Sequence, residues 1–307
     1  MGVIEKIGNV VLDYSNYSGI DLYSDGDVEE ELLKIAMQGI SFEEIIQNNC
    51  KWPILYHFSP ARENIVEWLP IGRNESVLEI GAGCGAVSGI LASKAEKLTC
   101  IELSKRRSRI NAYRHKTLEN IEIRVGNFID VYKNVDEKYD YVTLIGVLEY
   151  AESYVGGAEA AKDLLKMAGE LLKPEGKIIV AIENKYGLKY WAGCKEDHIG
   201  EFYKSLEGYG SEDGVKTYAR QELEQIAGDC GFEKADFYYP YPDYKFPTTI
   251  YSDSYLPRTG ELSNNIRNFD MDRIINFDET KVFDNIVRDG LFPVFSNSFL
   301  VVLKKGN

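Results

Sequence analysis

The stretch "VLEIGAGCGAVSGILA", Val77 to Ala92, sets three glycines, Gly81, Gly83 and Gly85, just beyond a carboxylate, Glu79. Glycines at a strand-to-helix turn let the backbone approach a ligand closely. Two ligand chemistries compete for such a turn. Gly81-x-Gly83-x-x-Ala86 fits the dinucleotide fingerprint, whose turn cradles a pyrophosphate. Glu79 argues the other way, because a carboxylate there repels a pyrophosphate and suits a cationic adenosyl-sulfonium ligand with its ammonium tail. Glu102, at the end of "KLTCIEL", serves either reading, since one carboxylate can grip two ribose hydroxyls. "VGNF", Val125 to Phe128, then offers the Asn127 amide beside the Phe128 ring, suited to an adenine edge and face.

A second set of reactive types lies in "ENKYGLKYWAGCKEDHIG", with Tyr186, Tyr190, Trp191, Asp197 and His198. His198 is the expected general base, with an unperturbed pKa of about 6.5 and Asp197 beside it. His57 is the second choice, and His115 is expected at the surface. Arg62, in "YHFSPARENIVEWLP", falls in a first helical turn, where the helix dipole disfavours a cation unless an anion faces it. It meets either an anionic ligand group or a structural ion-pair partner. The segment "FYYPYPDYKFPTTIYSDSY", Phe237 to Tyr255, could hold a polar ligand with Asp243 and Asp253, or serve only packing. Five cysteines (Cys50, Cys84, Cys100, Cys194 and Cys230) without C-x-x-C spacing, and three histidines, point to reduced thiols and no metal site.

These residues need elements to position them. From Ser76 the pattern alternates: "SVLEI", "KLTCIEL", "IEIRVGN", "YDYVTLIGV" and "GKIIVAIEN" read as β-branched, apolar strands separated by amphipathic helices. That rhythm predicts a doubly wound, mostly parallel sheet covered on both faces. "FEKADFYYPY" and "SFLVVLKK" complete an expected seven strands, the last antiparallel. Residues 1–57 read as a helical leader around "DVEEELLKIAMQG", and residues 58–307 as the main domain. Insertions at 185–216 and 242–297, after strands five and six, are expected to cap the site as a lid. The basic run "SKRRSRINAYRHK" reads as the solvated face of a helix.

The chain has 307 residues, 44% of them apolar, and a net charge of −14. A phosphate polymer would meet a repulsive field, which weighs against DNA or RNA as substrate. No apolar run long enough to span a membrane occurs, and no secretory signal is read at the N-terminus, so a cytoplasmic protein is expected.

The ordered series of motifs resembles class I S-adenosylmethionine-dependent methyltransferases, over roughly Ser76 to Phe237 and the closing strand Ser298 to Lys304. It departs from that family at Asn127, often Asp there, and at Tyr150, where many small-molecule enzymes have His after "LE". The resemblance implies S-adenosylmethionine as cofactor. Glu79, Gly81, Ala82, Gly83 and Gly85 would hold the methionine part, with Arg62 as its carboxylate partner. Glu102 and Leu103 would hold the ribose, Asn127 and Phe128 the adenine, and Gly146 the end of strand four. Proton removal would fall to His198 with Asp197 and Tyr186, or to another carboxylate of the cap. The segments "YHFSPARENIVEWL", "IENKYGLKYWAG", "YPYPDYKFPTTIYSD" and "SNSFLVVLKK" further resemble methyltransferases of bacterial cell-surface polysaccharide assembly, which implies a sugar or sugar-linked acceptor. A small natural product as acceptor, a nicotinamide oxidoreductase and a non-catalytic partner of the same fold stay open as alternatives. The sequence leaves the oligomeric state undefined.

Overall fold

A computed structural model of the chain describes residues 4–21, 26–39, 41–49, 51–265 and 271–306; Cys50 lies outside them. The chain divides into two units, Met1–Leu144 with Met167–Lys177, and Ile145–Lys166 with Ile178–Asn307.

The first unit is built on β1 (Ile4–Ile7), β2 (Val10–Asn16), β3 (Ser76–Ile80), β4 (Lys97–Glu102), β5 (Ile121–Gly126) and β6 (Tyr139–Ile145), in the order β1-β2-β5-β4-β3-β6. All neighbours from β2 onward run parallel, while β1 and β2 form an antiparallel hairpin. Val77, Leu78 and Ile80 are buried along with Glu79, so β3 is covered on both faces. The register sets Glu79 opposite Cys100 on one side and Thr143 on the other. Because the chain leaves β3 for β4 and later returns on the opposite side as β6, the carboxyl ends of β3 and β6 flank a switch in strand order. Ligands of open α/β sheets bind at such switches.

Two expectations need correction here. The described residues carry ten strands, not seven. The N-terminal leader also opens on the β1–β2 hairpin before its helices, and β2 extends the parallel sheet beside β5. The alternation Val10, Leu12 buried against the half-buried Val11 and Asp13 is the strand signal a helical reading overlooks. The leader's helices, Asp27–Gln38, Phe42–Asn48 and Trp52–Phe58, pack Leu32, Ala36, Ile45, Ile54 and Phe58 onto Ile110 and onto Cys84 of the glycine turn. The basic helix Lys105–Arg114 therefore does not present a solvated face. Arg107 Nε lies 2.7 Å from Oε1 of the fully buried Glu29, and Arg114 donates to the carbonyls of His57 (2.5 Å) and Cys84 (2.9 Å).

The second unit orders β7 (Leu172–Glu183), β10 (Ser298–Lys305), β8 (Phe232–Tyr241) and β9 (Thr249–Ser252) side by side. β10 runs antiparallel to β8, as expected of the last strand, and so does β9. The insertions carry structure of their own, including β9 and the helix Glu279–Arg288, whose Phe283 and Ile286 are buried. They are fastened by two asparagines. Asn184 Nδ2 donates to the carbonyls of Val294 (2.8 Å) and Ser296 (2.7 Å). Asn297 accepts from the Lys189 amide (2.9 Å) and donates to the Pro242 carbonyl (2.9 Å). No helix among the described residues is long and apolar enough to cross a membrane.

Candidate functional site

In the first unit the glycine turn leaves β3 with Gly81, Gly83 and Gly85 all in the left-handed region, at φ 72°, 53° and 76°. The amides of Gly81 and Ala82 donate to the Ile101 carbonyl at 2.9 and 3.2 Å, which folds the turn over the end of β4. The three glycines are not equivalent. A Cβ on Gly85 would sit 2.3 Å from Asn111 Oδ1 and 2.9 Å from His115 Cε1, whereas a Cβ on Gly83 would meet nothing within 4 Å. Gly85 thus seats the turn on the helix behind it, and Gly83 faces open space where a ligand can approach. His115 is half-buried rather than exposed: burial pushes its imidazole down to about 3, and Nδ1 lies 2.8 Å from Asn111 Oδ1.

Glu102 ends β4 with its carboxylate aimed at the turn. Oε2 accepts from the Gly83 amide at 2.7 Å and Oε1 from the Ser104 amide at 2.8 Å. Burial raises its pKa, opposed by the Arg107 charge and those two amides. Each oxygen keeps a lone pair beyond its amide partner, which is what gripping a pair of vicinal hydroxyls requires. Leu103 follows, half-buried. Glu79 is 3% exposed and turned inward: Ser88 Oγ donates to Oε2 at 2.6 Å and Cys100 Sγ lies at 3.4 Å. Desolvation pushes it up to about 7, against the pull of those two partners. Its first duty is to pin the turn to the following helix.

Asn127 caps the helix Phe128–Tyr132, accepting from the Ile129 amide at 3.1 Å, and Phe128 is buried against Tyr132. Arg62 is buried in the turn Pro60–Glu63, capped by Ser59, with its guanidinium 4.4 Å from the Tyr56 ring centroid. His57 is buried too, and desolvation followed by the Arg107, Arg62 and Arg114 charges holds it well below 6.5, as a neutral imidazole.

In the second unit Gly146 (φ 69°) donates its amide to the Ala181 carbonyl at 2.9 Å and is overhung by the Tyr244 hydroxyl. The expected acceptor-side residues separate into distinct environments. Asp197 does not pair with His198: it meets Lys189 (2.8 Å), Lys245 (2.6 Å) and the Tyr190 hydroxyl (2.6 Å). His198 meets Glu196, Glu149 and Glu183 instead, at 2.9, 3.6 and 3.8 Å. Burial alone would lower the His198 imidazole. Glu183, Glu149 and Glu196 outweigh it and hold the pKa well above 6.5. Tyr186 is half-buried, its amide bonded to Asn184 Oδ1 at 3.0 Å. Glu149, Glu183 and Glu196, the partners that matter most to His198, escaped the sequence reading. Only Glu196, two residues before His198, carried a local signal.

The tyrosine-rich segment serves packing: Tyr239, Tyr241, Tyr244 and Tyr251 are buried, and Asp253 is taken by Arg220 at 2.7 and 2.9 Å.

Residues 78–178 match the family model of a methyltransferase domain. The match covers about a third of the chain and supports S-adenosylmethionine as the cofactor. The chain is 36% identical over 81 residues to ribosomal RNA small subunit methyltransferase A of Borreliella burgdorferi, covering 26% of this chain and 29% of that protein. It is 25% identical over 225 residues to a protein of Invertebrate iridescent virus 6 named "Putative methyltransferase 235L", covering 70% and 78%. Among solved structures, a SAM-dependent methyltransferase from Archaeoglobus fulgidus aligns with a TM-score of 0.49 and 14% identity, over 83% of this chain and 100% of that one. The chain spans less than a third of the length of the bacterial ribosomal RNA methyltransferases it matches.

Proposed function

We propose that the protein is an S-adenosylmethionine-dependent methyltransferase acting on a hydroxyl or amine of a glycan or glycan precursor, in the cytoplasm. The observation that carries the cofactor half is Glu102, buried at the end of β4 with the open Gly83 amide on its carboxylate, within a segment matched by a methyltransferase domain. In this reading Glu102 and Leu103 hold the ribose, Asn127 and Phe128 the adenine, and the glycine turn with Arg62 the methionine portion. Gly146 lines the end of β6. The cofactor supplies a methyl group on a sulfonium, a carbon already activated for displacement. The protein's contribution is then alignment and exclusion of water. The acceptor half rests on the likeness of four segments to methyltransferases of cell-surface polysaccharide assembly, and no longer on the tyrosines, which are committed to packing. The net charge of −14 weighs against an RNA acceptor.

His198 is enclosed by Glu196, Glu149 and Glu183, and Asp197 is engaged by two lysines. We therefore assign no base to this pair. Calorimetric titration with S-adenosylmethionine, S-adenosylhomocysteine and NADH tests the reading. Saturable binding of the two adenosyl-sulfur ligands alone is expected. Binding of NADH alone would make the chain an oxidoreductase, and no binding of any of the three would leave a non-catalytic protein.

A further inference from the structure

The second unit encloses an unusual set of charges. Five carboxylates, Glu149, Glu183, Glu196, Asp197 and Asp243, are grouped with two ammonium groups, Lys189 and Lys245. Lys189 is spent on Asp197 and Asp243, and Lys245 on Asp197 and Glu183 Oε1 at 2.7 Å. That leaves Glu149 as a fully buried carboxylate with no hydrogen bond to either oxygen, facing Glu183 Oε2, which also has none. Lys245 compensates Glu183 only in part, so the rest of the cost of burying this pair falls to whatever occupies the space between Glu149 and Glu183.

His198 points between them. Its Nδ1 is 2.9 Å from Glu196 Oε1. Glu196 is itself fixed by the amides of His198 (2.8 Å) and Ile199 (2.6 Å) and by the Tyr209 hydroxyl (3.1 Å). Nδ1–H is placed to donate to Glu196, and Nε2 is directed at Glu149 Oε1 (3.6 Å) and Glu183 Oε2 (3.8 Å), where an ion would take the place of the proton those carboxylates otherwise hold on the ring. Both distances are too long for hydrogen bonds. Ligand atoms about 2.1 Å from one ion lie about 3.0–3.5 Å apart when adjacent and about 4.2 Å apart when opposite. The observed separations fall between those values, and one ligand atom from each residue can be chosen so that all lie within 4.8 Å of one another. A histidine that donates its far nitrogen to a carboxylate while presenting the near one to two more carboxylates has the second shell of a metal ligand.

We propose that Glu149, Glu183 and His198 bind one divalent transition-metal ion, through Oε of each glutamate and Nε2 of the histidine. No motif spacing announces the site, because the three ligands stand on separate segments of the chain. Two hard oxygens and one imidazole nitrogen suit Mn2+, Fe2+ or Zn2+ better than Ca2+. The site does not depend on the methyltransferase reading, and its test needs no turnover.

The test uses the full chain expressed with Mn2+ and Zn2+ in the medium, its metal content measured after gel filtration. About one equivalent of metal is expected in the wild-type protein, and less than a tenth of that in Glu149→Gln and in His198→Gln. Stripping the wild type with chelator and restoring Mn2+ should raise its Tm, while the same addition leaves Glu149→Gln unmoved. A wild-type chain that carries no metal and whose Tm ignores both Mn2+ and Zn2+ overturns the proposal. So does metal retained undiminished in Glu149→Gln and His198→Gln. Because the wild-type result alone decides, a variant that fails to fold does not shelter the idea.

Discussion

Glu79 and Glu102 stand 19 positions from Gly83 or closer, yet they do opposite things with their charge. Glu102 keeps its carboxylate on two backbone amides at the turn. In a folded protein, Glu102→Ala should weaken S-adenosylmethionine binding about 10–100-fold, the equivalent of 1.5–3 kcal/mol for hydrogen bonds to a charged group. Calorimetry on a variant with unchanged circular dichroism checks this, and equal affinity would remove Glu102 from the site. Glu79 has its pKa raised to about 7 by burial, against 4.5 for the free group. The folded state thus holds a proton that the unfolded chain has lost. Its contribution to stability is full below pH 4.5, declines through the interval, and is lost above about pH 7. The loss is on the order of 3 kcal/mol. Glu79→Gln should remove that slope, so urea unfolding at pH 5 and pH 8 should differ less in the variant than in the wild type; parallel profiles would refute the assignment.

At the scale of elements, the helix Lys105–Arg114 is the buttress of the turn. Ser104 caps it by accepting from the Arg107 amide at 3.2 Å, and its side chains reach in two directions, Arg107 to Glu29 and Arg114 to the Cys84 carbonyl. Arg107→Met leaves Glu29 buried with Arg106 at 3.8 Å as a weak substitute, so stability should fall by about 3 kcal/mol. Chemical unfolding measures it, and a loss below about 0.5 kcal/mol would mean the Arg106 contact suffices. The residue pattern announced this helix but not its burial, because a run of arginines carries no record of the acids that will face it. The strands behaved differently. Ser76–Ile80 and Phe232–Tyr241 were legible to the residue, the first from Val77, Leu78 and Ile80 and the second from the aromatic stretch that ends it. β7 begins earlier than expected, at Leu172, because Pro174 interrupts a helix without forbidding an extended chain.

For the whole molecule, what could be read in advance was whatever is local: the glycine turn, Glu79 and Glu102 lie within a few residues of their own elements. The environment of His198 was not readable. Its sequence neighbour Asp197 turns away to two lysines, while Glu149 and Glu183 arrive from residues 49 and 15 positions upstream, brought there only by the tertiary fold. The same holds for the leader, whose helices make sense only once Cys84 and Ile110 are present to receive them.

Asn184 and Asn297 give this dependence a direction in time. Asn184 binds the carbonyls of residues 110 and 112 positions further on, and Asn297 reaches back to the Lys189 amide across 108. A ribosome makes the chain from one end, so these knots cannot be tied as residues 184–189 emerge. They wait until Asn297 has left the exit tunnel, whereas the hydrogen-bond partners of the glycine turn, Ile101, Glu102 and Arg114, have all appeared by residue 114. The side-chain partners of the glycine turn therefore emerge well before those that fasten the segments after β7.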